Sequence, residues 1–296
     1  MRLLFPTATP ATKMLFLCIL LIPCLFLATA FIFLIMNAAG ESAYTTLWAF
    51  YASMFVQGVI LFILPSYVVI AMTNSQPIAY LKLNQNERIG NKLLFGLLAF
   101  VGAYFFVLFL THWNKGVQLP ESMYAIEQWM RAKEDTAAAT TERLLSVQTI
   151  GKLLMNILII AVVVSIAEEI IFRGALQQFL HEWTRNGHAA VWISAFIFSV
   201  VHFQFFGFFP RLVMGALLGY LFWYTRNLWI PIFVHFLNNA FILIMNYIGR
   251  GTEWFDSISN ITITPTLIVL ALISLVFTIQ LFRLYQLKSP PSINQP

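Results

Sequence analysis

The chain has 296 residues, 60% of them hydrophobic and 10% charged, with a mean hydropathy of +0.80. Soluble domains carry charge on roughly a quarter of their residues, so this chain cannot cover a water-facing surface, and bilayer is its solvent. The net charge of +5 comes without a basic stripe interleaved with polar aromatics, which sets nucleic-acid partners aside.

Apolar runs near the ~20-residue spanning length predict helices at about 14–37, 47–72, 92–112, 150–172, 189–208, 211–225, 228–249 and 263–286. The fold class is all-α, a polytopic integral membrane protein of about eight transmembrane helices. No polar linker separates two cores, so residues 1–296 read as a single membrane domain. The run from Met14 to Met36 is too long for a signal-peptide core. Apolar residues continue past Ala28-Thr29-Ala30, which predicts a retained anchor. Cys18 and Cys24 both lie inside that run, too few for a disulfide framework or a zinc knuckle. The polar stretch from Leu119 to Ser146 carries Met123, Ile126 and Met130 at helical spacing. It reads either as an interfacial amphipathic helix or as a solvated loop with one helical turn. The fifth and sixth runs meet in a tight turn at Gly207 to Pro210.

With the N terminus placed inside, ten Lys and Arg fall inside, including Arg2, Lys82, Arg173 and Arg226. Seven fall outside, including Arg131, Arg211 and Arg250. Glu41, Glu127, Glu134 and Glu142 are among the acids on the outside. The excess of basic residues puts both termini in the cytoplasm, and the expected location is a bacterial inner membrane.

Ionisable groups inside a spanning helix cost several kcal/mol unless paired, so each asks for a reason. They cluster in the second half of the chain. In Ala167-Glu168-Glu169-Ile170-Ile171-Phe172-Arg173, Glu169 and Arg173 are four apart and share a helical face. Glu168 is rotated from Glu169 by about 100°, which leaves one carboxylate unpaired and free to act as a general base. The bland reading is an interfacial charge cluster ending a helix. His202, in Phe198-Ser199-Val200-Val201-His202, sits well inside the fifth run, where a lone His is usually a packing residue. His235 and Asn239 are one turn apart in the seventh run, beside Asn238. They present two donors or, more blandly, interhelical polar glue. Gly215 and Gly219 form a small-xxx-small pair that close helix packing explains. A carboxylate base, a His and a donor pair on three helices are the inventory for attack of water on an amide.

Glu168-Glu169-x-x-x-Arg173, Phe198-x-x-x-His202 and His235-x-x-x-Asn239 together resemble the three motifs of the CPBP intramembrane proteases. That group includes the Rce1-type CAAX prenyl endopeptidases and bacterial Abi and bacteriocin-immunity relatives. Gly215-x-x-x-Gly219-Tyr220 and Tyr224-Thr225-Arg226-Asn227-Leu228-Trp229 extend the resemblance, which covers about residues 150–247 as a catalytic core. Arg226 stands where relatives often have Gly. The resemblance implies that Glu168 activates a water held with help from His202. It implies that Glu169 and Arg173 form a structural ion pair, and that His235 and Asn239 stabilise the tetrahedral oxyanion. The implied partner is a membrane-anchored peptide or protein substrate within the lipid bilayer. No cofactor is assigned. A zinc-dependent variant of the same protease would use Glu168, His202 and His235 as ligands. Readings from other classes are a non-catalytic membrane immunity, scaffold or peptide-export protein, and a transporter. The transporter reading suffers from polar residues confined to one half of the chain.

Overall fold

A computed structural model describes residues 4–40, 47–85 and 87–288; Arg2 and Glu41, counted in the charge balance, lie outside the described residues. Helix α1 (Pro10–Ala39) starts where the Thr9 hydroxyl accepts the Thr12 amide, with proline in its first turn, the usual start for a helix whose first amides lack partners. Helix α2 (Trp48–Thr73) contains a π-helical stretch, Gln57–Ile63. Helix α3 (Ile89–Lys115) follows a loop, and α4 (Tyr124–Leu145) is the polar segment. Helix α5 (Ile150–Thr184) is followed by α6 (Gly187–Val200), α7 (Phe208–Thr225), α8 (Trp229–Gly249), a short helix at Glu253–Ser259 and α9 (Pro265–Lys288). Among the described residues there are helices and no strands. Among the described residues seven helical stretches are long and apolar enough to cross a membrane, and α6 is a shorter apolar helix. The protein is an all-α polytopic membrane protein.

Two expected boundaries move, and both moves shape the site. The fourth run was expected to stop at 172, on the evidence of Arg173. The helix instead continues to Thr184 and ends where Arg185 takes φ 55°. Arg173 does not end it because the guanidinium is buried, 1% exposed, against an acid on its own helix. The fifth run was expected to hold His202 well inside a span. Helix α6 instead stops at Val200, and His202 lies in the turn beyond it. The imidazole Nδ1 lies 2.7 Å from the Phe198 carbonyl and satisfies a carbonyl that a further helical turn would have used. Phe203, at φ 52°, then reverses the chain.

The stretch 119–146 forms a true helix, α4, with Met123, Ile126 and Trp129 exposed. Arg131 clamps Glu127 one turn away at 2.5 Å and holds that carboxyl below its ordinary range. The end of α4 is fastened by buried Asn156, whose amide donates to the Leu144 carbonyl at 2.6 Å and accepts from the Tyr51 hydroxyl at 2.7 Å.

Helix α5 runs through the middle. A Cβ on Gly58 would lie 3.3 Å from the Ala167 Cβ, so glycine lets α2 approach it closely. The Gly215 and Gly219 pair presses α7 onto α6 and α5. A Cβ on Gly215 would sit 3.2 Å from the Ala195 backbone, and one on Gly219 would sit 2.9 Å from Gln177 Oε1. At the opposite end from α4, Lys13 and the Tyr80 hydroxyl both bind Glu182, at 2.7 and 2.6 Å. There α7 closes on Arg226 at φ 49°, left-handed backbone that glycine would adopt without strain.

Candidate active site

The site begins at the regular α-helical turn Val164–Glu169 within α5. Glu168 and Glu169 directly precede a π-helical stretch, Ile170–Gln177, that carries Arg173. Such wide turns are rare and concentrate at functional sites. The two neighbouring carboxylates face different surroundings. Glu169 is fully buried, and its Oε1 accepts from Arg173 Nη1 at 2.6 Å and from His235 Nδ1 at 2.8 Å. Arg173 Nη2 donates to the Gly215 carbonyl at 2.9 Å, and its guanidinium lies 4.8 Å from the Phe198 ring. One ion pair on α5 thus touches α6, α7 and α8. Among the described residues, Glu169 Oε2 and Arg173 Nε have no partner.

Glu168 keeps 12% of its side chain exposed while Glu169 keeps none, so only Glu168 can meet water or a substrate. Its Oε1 lies 3.9 Å from His202 Nε2 and its Oε2 lies 3.8 Å from His235 Nε2. These separations are too long for direct hydrogen bonds and suit a bridging water.

The tautomers follow from the partners. His202 Nδ1 faces a carbonyl and His235 Nδ1 faces an ion-paired carboxylate. Both partners only accept, so each Nδ1 carries the proton. In the neutral rings both Nε2 atoms are therefore lone pairs aimed at Glu168.

Asn239 is placed one turn beyond His235. Its amide nitrogen donates to the Ile160 carbonyl at 3.2 Å and to Ser165 Oγ at 3.4 Å, and its oxygen accepts from Asn238. The structure thus gathers Glu168, Glu169, Arg173, His202 and His235 around one carboxylate pair. Asn239 stands against Ile160 and Ser165 on α5. Among the described residues no three His, Cys, Asp or Glu side chains form a group that could hold a metal ion.

Sequence reasoning missed Gln204 and Arg211. Arg211 was counted as a loop charge, yet its guanidinium binds Gln204 in the turn that carries His202. It also missed Asn114, a buried side chain at the end of α3. Asn114 donates to the Phe205 carbonyl at 3.2 Å and accepts from the Phe209 amide at 2.9 Å, fixing the turn after His202. An Asn at the end of an apolar run was the available signal.

Residues 150–241 match the family described as Type II CAAX prenyl endopeptidase Rce1-like. The matched segment contains Glu168, Glu169, Arg173, His202, His235 and Asn239. Among curated proteins, "Putative membrane peptidase YdiL" of Bacillus subtilis (strain 168) is 29% identical over 187 residues, which is 63% of this chain and 70% of YdiL. "Uncharacterized protein YpbD" of the same organism is 29% identical over 89 residues, 29% of this chain and 42% of YpbD. No solved structure matches.

The unequal burial of the two carboxylates predicts unequal consequences of removing them. Glu169→Ala strands Arg173 in the bundle, and breaking a buried pair typically costs about 3–5 kcal/mol. Its membrane abundance and melting temperature should fall well below those of Glu168→Ala, which removes only a partly exposed acid. Quantitative immunoblotting and thermal unfolding in nanodiscs measure both, and equal losses would contradict the division of roles.

Proposed function

We propose that the chain is a membrane-embedded endopeptidase that hydrolyses a peptide bond of a membrane-bound or lipid-attached peptide with a glutamate-activated water. The Rce1-like match and the membrane-peptidase relative support a membrane protease. The observation that carries the finer reading is the partly exposed Glu168 carboxylate facing the Nε2 lone pairs of His202 and His235.

A water in that gap donates one proton toward Glu168 and the other to His202 Nε2. Glu168 takes the first proton as the water oxygen attacks the carbonyl carbon, and later delivers it to the leaving amine. The oxyanion needs donors fixed in advance. We assign one to the Asn239 amide, whose 3.4 Å contact with Ser165 is the longer of its two bonds to α5. His235 joins it from Nε2 only as the imidazolium, because its Nδ1 proton is engaged on Glu169.

Glu168, His202 and His235 are the residue types of a catalytic zinc site, where zinc would act as a Lewis acid, but among the described residues they are not arranged as a group that could hold a metal ion. We favour glutamate and water. An immunity, scaffold or export role would leave the exposed carboxylate without a task. We place the protein in a bacterial inner membrane with both termini cytoplasmic, from the excess of Lys and Arg on that side.

Glu168→Gln keeps the side chain's shape but cannot take a proton, so it should insert normally and abolish cleavage. Comparative membrane peptidomics of wild type and variant reads this directly, and substantial cleavage by a well-folded variant would remove Glu168 from the base role. Wild-type activity should survive strong chelator, with no stoichiometric zinc in the purified protein. Inactivation by chelator that zinc reverses would replace the glutamate mechanism with a metal one. Asn239→Ala should lower single-turnover cleavage by roughly 10²–10³ with little change in substrate affinity, the usual loss for one oxyanion donor. A change confined to affinity or stability would make Asn239 a packing residue.

A further inference from the structure

We propose that Arg211 is a carboxylate-binding subsite of this centre, holding a carboxylate of the substrate peptide supplied by its free C terminus or by an acidic side chain near the cleaved bond. The inference rests on the peptidase reading and extends it to substrate selection. Arg211 lies in the first turn of α7, and its guanidinium folds back over the turn that carries His202. Nη1 donates to the Gln204 carbonyl at 3.3 Å and Nη2 donates to the Gln204 side-chain oxygen. A Cβ on Gly207 would lie 3.2 Å from Nη2, so the glycine makes room for the guanidinium.

Arg211 is bound to the turn that carries His202 and makes no ion pair there. Arg131, Arg173 and Arg250 each pair with a glutamate. Arg211, half-buried beside the centre, has no ion pair among the described residues and is bound only to Gln204. Its charge interacts with Glu134 of α4 and with Glu168. Glu134 places its Oε2 on the Phe206 amide at 3.3 Å and makes no ion pair with Arg211 among the described residues. A guanidinium offers five N–H groups in a planar fork that matches a carboxylate in two parallel bonds. Gln204 takes one on each Nη, and the others remain for a ligand. In a partly desolvated site an incoming carboxylate finds a cation already positioned, with no acid at ion-pair distance among the described residues, and charge-assisted pairs are the stronger hydrogen bonds. The subsite would orient the peptide with the reacting carbonyl near Glu168 and select against neutral peptides.

The test uses the full chain in nanodiscs and a library of palmitoylated synthetic peptides, read by mass spectrometry. Every sequence is supplied as free acid and as C-terminal amide, and every Asp or Glu is paired with Asn or Gln. Wild type should cleave members bearing the preferred carboxylate about 10–100-fold faster than their neutral twins at low substrate concentration, through KM. The acid–amide pairs and the Asp/Asn and Glu/Gln pairs distinguish the two sources of the carboxylate. Arg211→Gln should bring the acid-to-neutral ratio close to one, and Arg211→Lys should restore part of it. If Arg211 merely latches α4 through Glu134, Glu134→Gln would reproduce the Arg211→Gln profile; under the proposal Glu134→Gln keeps or increases the preference for acid. Equal cleavage of charged and neutral twins by wild type overturns the subsite and leaves the peptidase reading standing. So does a uniform loss in Arg211→Gln with the ratio unchanged. If no member is cleaved above the Glu168→Gln background, the peptidase reading fails and takes the subsite with it.

Discussion

A guanidinium within a membrane bundle has few ways to exist. Unpaired, it would cost several kcal/mol, and here its arrangement organises the helices around it. Arg173 gives one hydrogen bond to Glu169 on its own helix and another to the Gly215 carbonyl on α7, and its flat face rests against Phe198 on α6. The carbonyl can come so close only because Gly215 lets α7 press against Ala195. Glu169 accepts a second bond from His235, which brings in α8 and fixes which imidazole nitrogen faces Glu168. The ion pair therefore sets helix packing and ring tautomer together. Gln177, one turn along, repeats the device by donating to the Gly219 carbonyl at 3.0 Å.

The same geometry explains how two adjacent carboxylates acquire different tasks. A rotation of about 100° along the helix sends Glu169 inward to two donors and leaves Glu168 facing two acceptors. Glu169, fully buried and bonded by Arg173 and His235, offers no face to a reactant. An acid facing two nitrogen lone pairs needs a proton-bearing molecule between them, and water is the smallest one that fits.

Much of this was legible in the sequence, for identifiable reasons. The apolar runs at 92–112 and 228–249 fall within a few residues of Ile89–Lys115 and Trp229–Gly249, because bilayer thickness sets their length. The four-residue spacing of Glu169 and Arg173 was enough to read their pairing. The reading failed where burial overrode residue type. Arg173 looked like a helix end, and its pairing lets α5 continue for another eleven residues to Thr184. The π-helical stretch at Gln57–Ile63 is followed by Pro65, but those at Ile157–Val163 and Ile170–Gln177 have no proline near them. These two depend on packing that no local pattern encodes. His202 was placed inside a span because Phe198, Val200, Val201, Phe203 and Phe206 around it are apolar. A reversal among such residues leaves only a weak trace, Gly207 with Pro210.

That reversal is the key to access. Fourteen residues of α6 rise only about 21 Å, against a hydrocarbon core of roughly 30 Å. Beyond α6 the chain from Val201 to Gly207 is a turn and one short 3-10 helix, and a membrane interior tolerates such backbone only where protein or water satisfies it. Here protein supplies much of that satisfaction: Asn114 bonds Phe205 and Phe209, Glu134 bonds the Phe206 amide, and Arg211 bonds the Gln204 carbonyl. Helix α4 adds Trp129 against Phe205 and Arg131 over Phe206. A full-length α6 would have carried His202 into a regular helix and replaced this polar turn with apolar surface. By stopping short, α6 places an imidazole, a glutamine and an arginine at the depth of Glu168. The polar segment that composition alone left undecided between loop and helix is packed over the turn that makes the site polar.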